Sequence, residues 1–453
     1  MQALAADPTP VSFLTPLGYS TGSCGYCKNE ETSASYYISS RNLDVRHYQA
    51  LIDRGWRRSG TLLYKPDVKR SCCPHYTIRL PAAEFKATRD QRQAQNRWNR
   101  FVLGDAYIAE AKKRYRKSKE EKARDRNEFN LADAVHEAEY SNLKKPPEPA
   151  HKFEVTLDRD NFTAEKFELY SNYQQAVHHD KPEDISERQF QRFLCDSSLQ
   201  RQAVDSNSSV QLGSFHQCYR LDGRLIAMAV LDLLPHAVSG VYFIYHSDFE
   251  KYSFGKISAL REASLAHELG LQYYYMGYYI HSCKKMRYKG DYRPQFVLDP
   301  ETCQWDPLEG ELRELLDKKN YVSLSKERSR KEDQPVDIGG DTPMREDGSD
   351  DSSPGSPASA FKAVDEGMSV LELGVPGVLN ARELQEQVNL DEMKLLIPRP
   401  GQTNLVVKTQ DLVMWDQGSL TDNHSIKGVF AEMAAAVGPV VAREMVIKLN
   451  GLG

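Results

Sequence analysis

The chain lacks several things that would decide its class at once. No stretch approaches the ~18 uninterrupted apolar residues of a membrane span, so none is expected. Basic residues are not in excess, with 59 Lys and Arg against 64 Asp and Glu, so any nucleic-acid surface must be local. The first ten residues carry neither a basic n-region nor a long apolar core, which argues against a secretory signal and for a reducing compartment. There the eight cysteines read as metal ligands, catalytic groups or buried thiols rather than disulfides. There is no Gly-rich nucleoside-phosphate loop, no internal repeat, and no trusted Ser/His/Asp or Cys/His constellation.

What is present suffices for a large core. The 453 residues are a soft prior for about three domains, and 40 % hydrophobic residues plus 27 glycines sit in the globular range. Residues 1–16 are Pro- and Thr-rich and are expected to be loose. Residues 17–82 hold four of the eight cysteines and form a Cys-rich N-terminal domain. From Ala83 to Glu139 no proline appears, and 83–143 reads as one long basic helical segment stopped by Pro146-Pro147. Residues 162–196 read as helical, and Asp205–Ser209 as a loop. Residues 325–360, with nine acidic residues, four prolines, four glycines and no aromatic, read as a disordered linker. Residues 361–453 form a small C-terminal appendage with a helical finish over 426–445.

The clearest pattern lies within 152–324. Val210–Leu221 and Arg224–Leu234 are strand-like runs joined by Asp222-Gly223, a hairpin signal. Val241–His246 is a third strand, Phe254–Glu268 has helical spacing, and Gly270 sits where a helix ends. Gln272–Ile280 follows as an aromatic-rich strand. The order is β-β-β-α-β, in an α+β chain.

Three features carry chemistry. Cys24-Gly-Tyr-Cys27 puts two thiolates on one turn, and Cys72-Cys73-Pro-His75 supplies a second pair. Either the four cysteines hold one centre, with His75 as a spare ligand, or they are buried thiols. Adjacent Cys72 and Cys73 favour an iron–sulfur cluster over zinc. Residues 84–130 carry 14 basic and 8 acidic residues. Arg89, Arg92, Arg97 and Arg100 surround Trp98 and Phe101, either as a solvated helix face or as a phosphate-contacting surface. Tyr273-Tyr-Tyr-Met-Gly-Tyr-Tyr279 gives five tyrosines beside a glycine, with Lys284, Lys285, Arg287 and Lys289 close behind, suggesting a pocket for an anionic group.

These pieces together resemble the eukaryotic arginyl-tRNA–protein transferases. The matching motifs are Cys24-Gly-Tyr-Cys27, Cys72-Cys73-Pro-His-Tyr76-Thr-Ile-Arg79, Arg97-Trp-Asn-Arg100-Phe, Val230-Leu-Asp232-Leu-Leu-Pro235, Ser258-Ala-Leu-Arg261-Glu, and Tyr275-Met-Gly277 through Cys283-Lys-Lys-Met286-Arg-Tyr-Lys289. They fall in family order over about residues 17–310. Tyr245-His-Ser-Asp248 departs from the Tyr-Asp-Pro-Asp expected there, which puts any role for position 246 in doubt. The tail beyond 325 carries no family motif.

The resemblance implies a GNAT-like acyltransferase fold. It also implies transfer of arginine from arginyl-tRNA to the α-amine of proteins beginning with Asp, Glu or oxidised Cys, marking them for ubiquitin-dependent degradation. The implied partners are arginyl-tRNA, acidic N-termini and ubiquitin-ligase pathway components. The implied compartment is the cytoplasm, with the nucleus second. The cofactor expected at Cys24, Cys27, Cys72 and Cys73 is a 4Fe-4S cluster or zinc, structural or oxygen-sensing rather than catalytic. Aminoacyl esters are already activated, so neither ATP nor coenzyme A is expected, and Ser253-Phe-Gly255-Lys256 is a degenerate version of the coenzyme-A turn.

Site residues follow from the chemistry that transfer would need. Lys285 and Lys289, then Arg79, are expected to bind the acidic first residue. Asp232 is expected to hold the donor's guanidinium, while Tyr275, Tyr278 and Tyr288 wall the pocket. Asp232 and Tyr275 are the expected catalytic positions, with no strict base assigned. Arg89, Arg92, Arg97 and Arg100 are expected to bind tRNA. Two competing readings are a coenzyme-A-dependent GNAT-like N-acyltransferase and a non-catalytic tRNA-binding metalloprotein.

Overall fold

The computed structural model describes residues 11–127, 129–203, 210–332, 355–399, 401–413 and 415–449. The expected loop at 205–209 and linker residues 333–354 lie outside the described residues. The strands are β1 Phe13–Gly22, β2 Ser33–Asn42, β3 Arg57–Ser59, β4 Leu62–Pro66, β5 Tyr76–Pro81, β6 Phe153–Arg159, β7 Gln202–Ala203 and β8 Gln211–Leu221. They continue as β9 Arg224–Leu234, β10 Ala237–Tyr245, β11 Tyr273–Tyr279, β12 Phe296–Leu298, β13 Trp305–Pro307, β14 Lys394–Ile397, β15 Leu405–Lys408 and β16 Val446–Lys448. They build two mixed sheets, so the chain is α+β.

The second sheet runs β13-β12-β5-β11-β10-β9-β8-β6, with β7 beside β8. Its centre follows from the local sequence. Asp222 and Gly223 both take positive φ, 52° and 85°, as a tight hairpin needs. The β8–β9 hairpin they close is almost wholly buried, which suits its near-continuous apolar runs. The central helix Phe254–Glu268 returns the chain to β11, which runs parallel to β10. Its hydrophobicity is spread around the circumference because both of its sides are packed. No helix among the described residues is long and apolar enough to cross a membrane.

The first sheet runs β15-β14-β16-β1-β2-β4-β3. Sequence reading set 17–82 apart from 361–453, yet β16 pairs in parallel with β1. The Ala-rich helix Ile426–Val437 is buried along most of its length, and the Trp56 indole donates to the Ala436 carbonyl at 3.1 Å. One hydrophobic core runs from Ile38, Leu51 and Trp56 through Ala434 and Met433 to Tyr275 and Tyr279.

Three expectations are corrected. Residues 13–16 are not loose but belong to β1, held by partners distant in sequence. The long helix of 83–143 is broken. Gly104 sits at φ 75° inside Arg89–Arg114, and a Cβ there would lie 2.7 Å from that of Ala150. Shorter helices follow at Lys119–Asn127 and Leu131–His136, the latter capped by Asn130. The start of the expected linker is helical, as Leu324–Glu332, and its end opens the helix Pro357–Asp365.

Candidate functional site

Strands β10 and β11 pair only at Ala237–Tyr273, Val238–Tyr274 and Ser239–Tyr275. Beyond that they part. β10 shifts register against β9 between Gly240 and Tyr242, and β11 shifts against β5 between Tyr275 and Tyr278. Gly277 in that bulge takes φ 75°, which a residue with a Cβ adopts at a cost. A Cβ on Gly277 would come within 3.8 Å of the Gly240 carbonyl oxygen, so the two glycines face each other where the strands separate.

Charged groups converge on this split. Glu262 reaches it from the central helix, accepting from the Ser258 and Tyr274 hydroxyls. Burial pushes its carboxyl up to about 7, against the pull of those two hydrogen bonds. Lys289 reaches it from the turn Tyr288–Asp291, and its Nζ donates to the carbonyls of Met276 at 2.8 Å and Tyr278 at 3.1 Å. Burial, helped by nearby Arg57, brings its ammonium down to about 8. Arg57 itself donates to the Gly277 carbonyl at 3.4 Å and lies 5.2 Å over the Tyr278 ring.

The expected site residues divide. Lys289 and Tyr278 stand at the split, though the Tyr278 hydroxyl is committed to the Gly55 carbonyl. Tyr288 is exposed beside them, and Lys285 is exposed on the short helix Lys284–Arg287. Asp232 is corrected. It has no exposed surface, and both its oxygens accept from Arg58, at 2.6 and 2.8 Å, leaving no face for a substrate guanidinium. Tyr275 is corrected too, because it is fully buried with its hydroxyl donating to Asp53. Arg79 is stacked between Tyr273 and Trp305, 3.7 and 3.9 Å from their ring centres, and donates to Tyr275, so it braces β11 rather than facing a ligand.

Sequence reasoning passed over Glu262 and Arg57. Ser258 and Glu262 are one helical turn apart and so share a face. That spacing was the available signal, but on a helix it equally fits a solvated pair.

A cavity of about 570 Å³ opens near the split. Its walls are Ser59 and Leu62 on one side and Tyr170, Asp180, Asp184 and Phe193 on the other. Phe193 packs edge-on against Tyr242 of β10, linking cavity and split.

Along Arg89–Arg114 the apolar face is buried. Trp98 has no exposed surface and packs edge-on against Phe153, Tyr252 and Phe254. Arg89, Arg97 and Arg100 are exposed on the other face, Arg100 paired with Asp105, while Arg92 is half-buried over Phe129.

The sulfurs of Cys24, Cys27, Cys72 and Cys73 all lie within 4.8 Å of one another. Cys24 and Cys27 sit on a tight loop after β1, closed by Lys28 N–H to the Cys24 carbonyl, and Lys28 takes positive φ. The cluster packs against Ile280, Cys283 and Met286, at the end of β11. The ring of His75 lies between Tyr26 and Tyr278, where burial lowers it to about 4, so it is neutral. Four thiolates this close repel one another unless a cation sits among them, and the donor set suits a thiophilic metal.

The family described as "Arginine-tRNA-protein transferase, N terminus" matches residues 22–93, and its "C terminus" counterpart matches 165–299. "Arginyl-tRNA--protein transferase 2" of Arabidopsis thaliana is 31 % identical, over 69 % of this chain and 78 % of its own. "Arginyl-tRNA--protein transferase 1" of Drosophila melanogaster is 30 % identical, over 70 % and 86 %. An "Aspartate/glutamate leucyltransferase" of Pseudomonas fluorescens is 30 % identical, over 60 % and 88 %. Among solved structures, a lysylphosphatidylglycerol synthetase domain from Agrobacterium fabrum covers 46 % of each chain at 14 % identity and a TM-score of 0.24, too low to define a shared fold.

Proposed function

The chain belongs to the arginyl-tRNA–protein transferase family, and we propose that it moves an arginyl group from arginyl-tRNA to the α-amine of proteins beginning with Asp, Glu or oxidised Cys. Within that reading, the observation that carries the site is the split between β10 and β11, where two facing glycines meet a part-buried lysine and a buried carboxyl. A sheet of three antiparallel strands, a helix and a parallel strand that splays away supports a GNAT-like transferase core, within the domain read at 152–324.

The donor ester is already activated. Catalysis then consists of bringing a neutral amine to the ester carbonyl, and positioning alone can contribute ~7–11 kcal/mol. Lys289 uses two N–H groups on backbone carbonyls and has a third for the acidic side chain of the acceptor. Lys285, Arg57, Tyr278 and Tyr288 complete that wall. With Asp232 committed to Arg58, the carboxylates for the donor's guanidinium are Asp180 and Asp184 in the neighbouring cavity, with Tyr170 and Phe193 against its apolar stem. The exposed arginines 89, 97 and 100, with Arg92, are assigned to tRNA phosphates. The arginylated product is a destabilising N-terminus for the ubiquitin system.

The cysteine cluster would hold a metal in a structural capacity. Tetrahedral zinc at Zn–S 2.3 Å separates its sulfurs by ~3.8 Å, and four sulfurs within 4.8 Å fit one such ion. A four-iron cluster, whose thiolates sit on four different irons, spreads its ligands further. This spacing therefore favours zinc over the iron–sulfur cluster expected from the adjacency of Cys72 and Cys73. Eight free cysteines suit the reducing cytoplasm.

The test is a transfer assay read by mass, with a peptide beginning with Asp and, in separate arms, arginyl-tRNA, leucyl-tRNA and acetyl-CoA. A gain of one arginine residue supports the reading. A leucine gain would assign the donor of the Pseudomonas relatives, an acetyl gain the coenzyme-A reading, and no gain with any donor a binding protein.

A further inference from the structure

We propose that Glu262 is the proton acceptor for the incoming amine, which enters between Gly240 and Gly277 and hands its proton to the Glu262 carboxylate. The inference rests on the transfer reading above and names a catalytic residue that reading leaves open.

Three observations carry it. Glu262 sits where β10 and β11 separate, and a Cβ on Gly240 would lie 3.0 Å from its Oε2. A side chain at 240 would therefore crowd that oxygen from the strand side. Second, Glu262 makes no ion pair within 4.0 Å among the described residues, its hydrogen-bond partners being the Ser258 and Tyr274 hydroxyls. A carboxyl buried on those terms costs stability, and positions of that kind are enriched at functional sites. Third, the charged and titratable groups around it are Lys289 from the turn after β11, with Arg57 of β3 beside that lysine, Tyr274 from β11, Tyr219 from β8, Tyr288 from the same turn as Lys289 and Tyr292 just past it. The cations hold the acceptor's carboxylate, while Glu262 is the acceptor of a proton. Its carboxyl titrates at about 7, close to an α-amine at ~7.7–8.0, so proton transfer between them is nearly balanced.

The step balances without a co-reactant. The amine nitrogen bonds to the ester carbonyl carbon, and the proton it sheds passes to Glu262. The bond from that carbon to the ribose oxygen then breaks, and Glu262 returns the proton to the departing oxygen. The products are an amide and a free ribose hydroxyl, with Glu262 ionised again.

The test is the pH profile of kcat/KM for arginyl transfer in the full-length protein and two variants. Glu262→Gln keeps the shape and should lower kcat/KM by about a hundredfold or more, abolishing the limb that rises through about pH 7 and leaving the later rise from the amine's own titration at ~7.7–8.0. Tyr274→Phe removes a donor that stabilises the ionised carboxyl and should move that limb to higher pH. Folding is checked by thermal unfolding. A folded Glu262→Gln protein that is slower but retains the limb would mean a purely positioning residue and overturn the proposal. So would an unmoved limb in Tyr274→Phe, a result that stands even if Glu262→Gln fails to fold. A parent protein that transfers no arginine would overturn the transfer reading, and the proposal with it.

Discussion

Arg58 of β3 and Asp232 of β9, 174 positions apart in the chain, grip each other by two hydrogen bonds with neither side chain exposed. The Arg58 Nη2 also donates to Ser214 of β8. This pair bolts the first sheet onto the second beside the strands that lead to the split. Its energetics are those of a buried ion pair, where losing one partner strands the other's charge.

Asp232→Ala or Arg58→Ala should therefore each cost about 3–5 kcal/mol, measured by urea unfolding. An Arg58→Met, Asp232→Leu double variant should recover most of that loss and much of the activity. Were Asp232 instead the holder of the substrate guanidinium, the double variant would be stable and inactive.

The pH response of acceptor choice should follow Lys289. Its ammonium, lowered to about 8 by burial, loses its charge above that pH. Transfer to Asp-initiated peptides should fall through about pH 8, and Lys289→Met should lose the preference for acidic over neutral first residues at all pH values. The check is a kcat/KM ratio for Asp- and Asn-initiated peptides.

Glu262 should leave a signature in stability. Its folded value, about 7, lies above the 4.5 of an unperturbed glutamate. The unfolded chain thus gives up the proton first, and the folded state is penalised increasingly from pH 4.5 to 7. Glu262→Gln should match its parent near pH 4 and be more stable at pH 8, by about 3 kcal/mol at ~1.4 kcal/mol per pH unit. Thermal unfolding at the two pH values measures it.

On the exposed side of Arg89–Arg114, replacing Arg89, Arg92, Arg97 and Arg100 by Gln should weaken tRNA binding. The slope of log affinity against log salt should flatten by roughly 0.7–0.9 for each phosphate no longer neutralised. Trp98 must stay, since it is core. An unchanged slope would return the helix to a solvated face.

Elemental analysis should find one zinc per chain. Cys72→Ser with Cys73→Ser should lose it and expose residues 22–32 to protease while β8 to β11 stay protected. Two or more irons per chain, with visible absorbance, would instead assign the cluster.

Where local rules govern, the sequence was readable. Asp222-Gly223 closes its hairpin, Gly270 takes positive φ just past the central helix, and the β-β-β-α-β order stands. Distant partners decided the rest. Nothing near Phe13 announces Val446, and nothing near Asp232 announces Arg58. The break at Gly104 depends on Ala150, which packs where a side chain would be. In the site, residue types were legible and allegiances were not. Arg79 and Lys289 are both cations, but one is stacked between two rings and the other stands at the split.

The pairing of β1 with β16 also sets a timetable for synthesis. β1 is made more than four hundred residues before its partner emerges. At ~5–20 residues per second on the ribosome, that is a wait of roughly twenty seconds to over a minute. Throughout it, β1 can pair with β2 but presents its other side as an open strand edge, a template for stray pairing. β1 is thus among the last strands to be enclosed, and a nascent-chain chaperone would find it there.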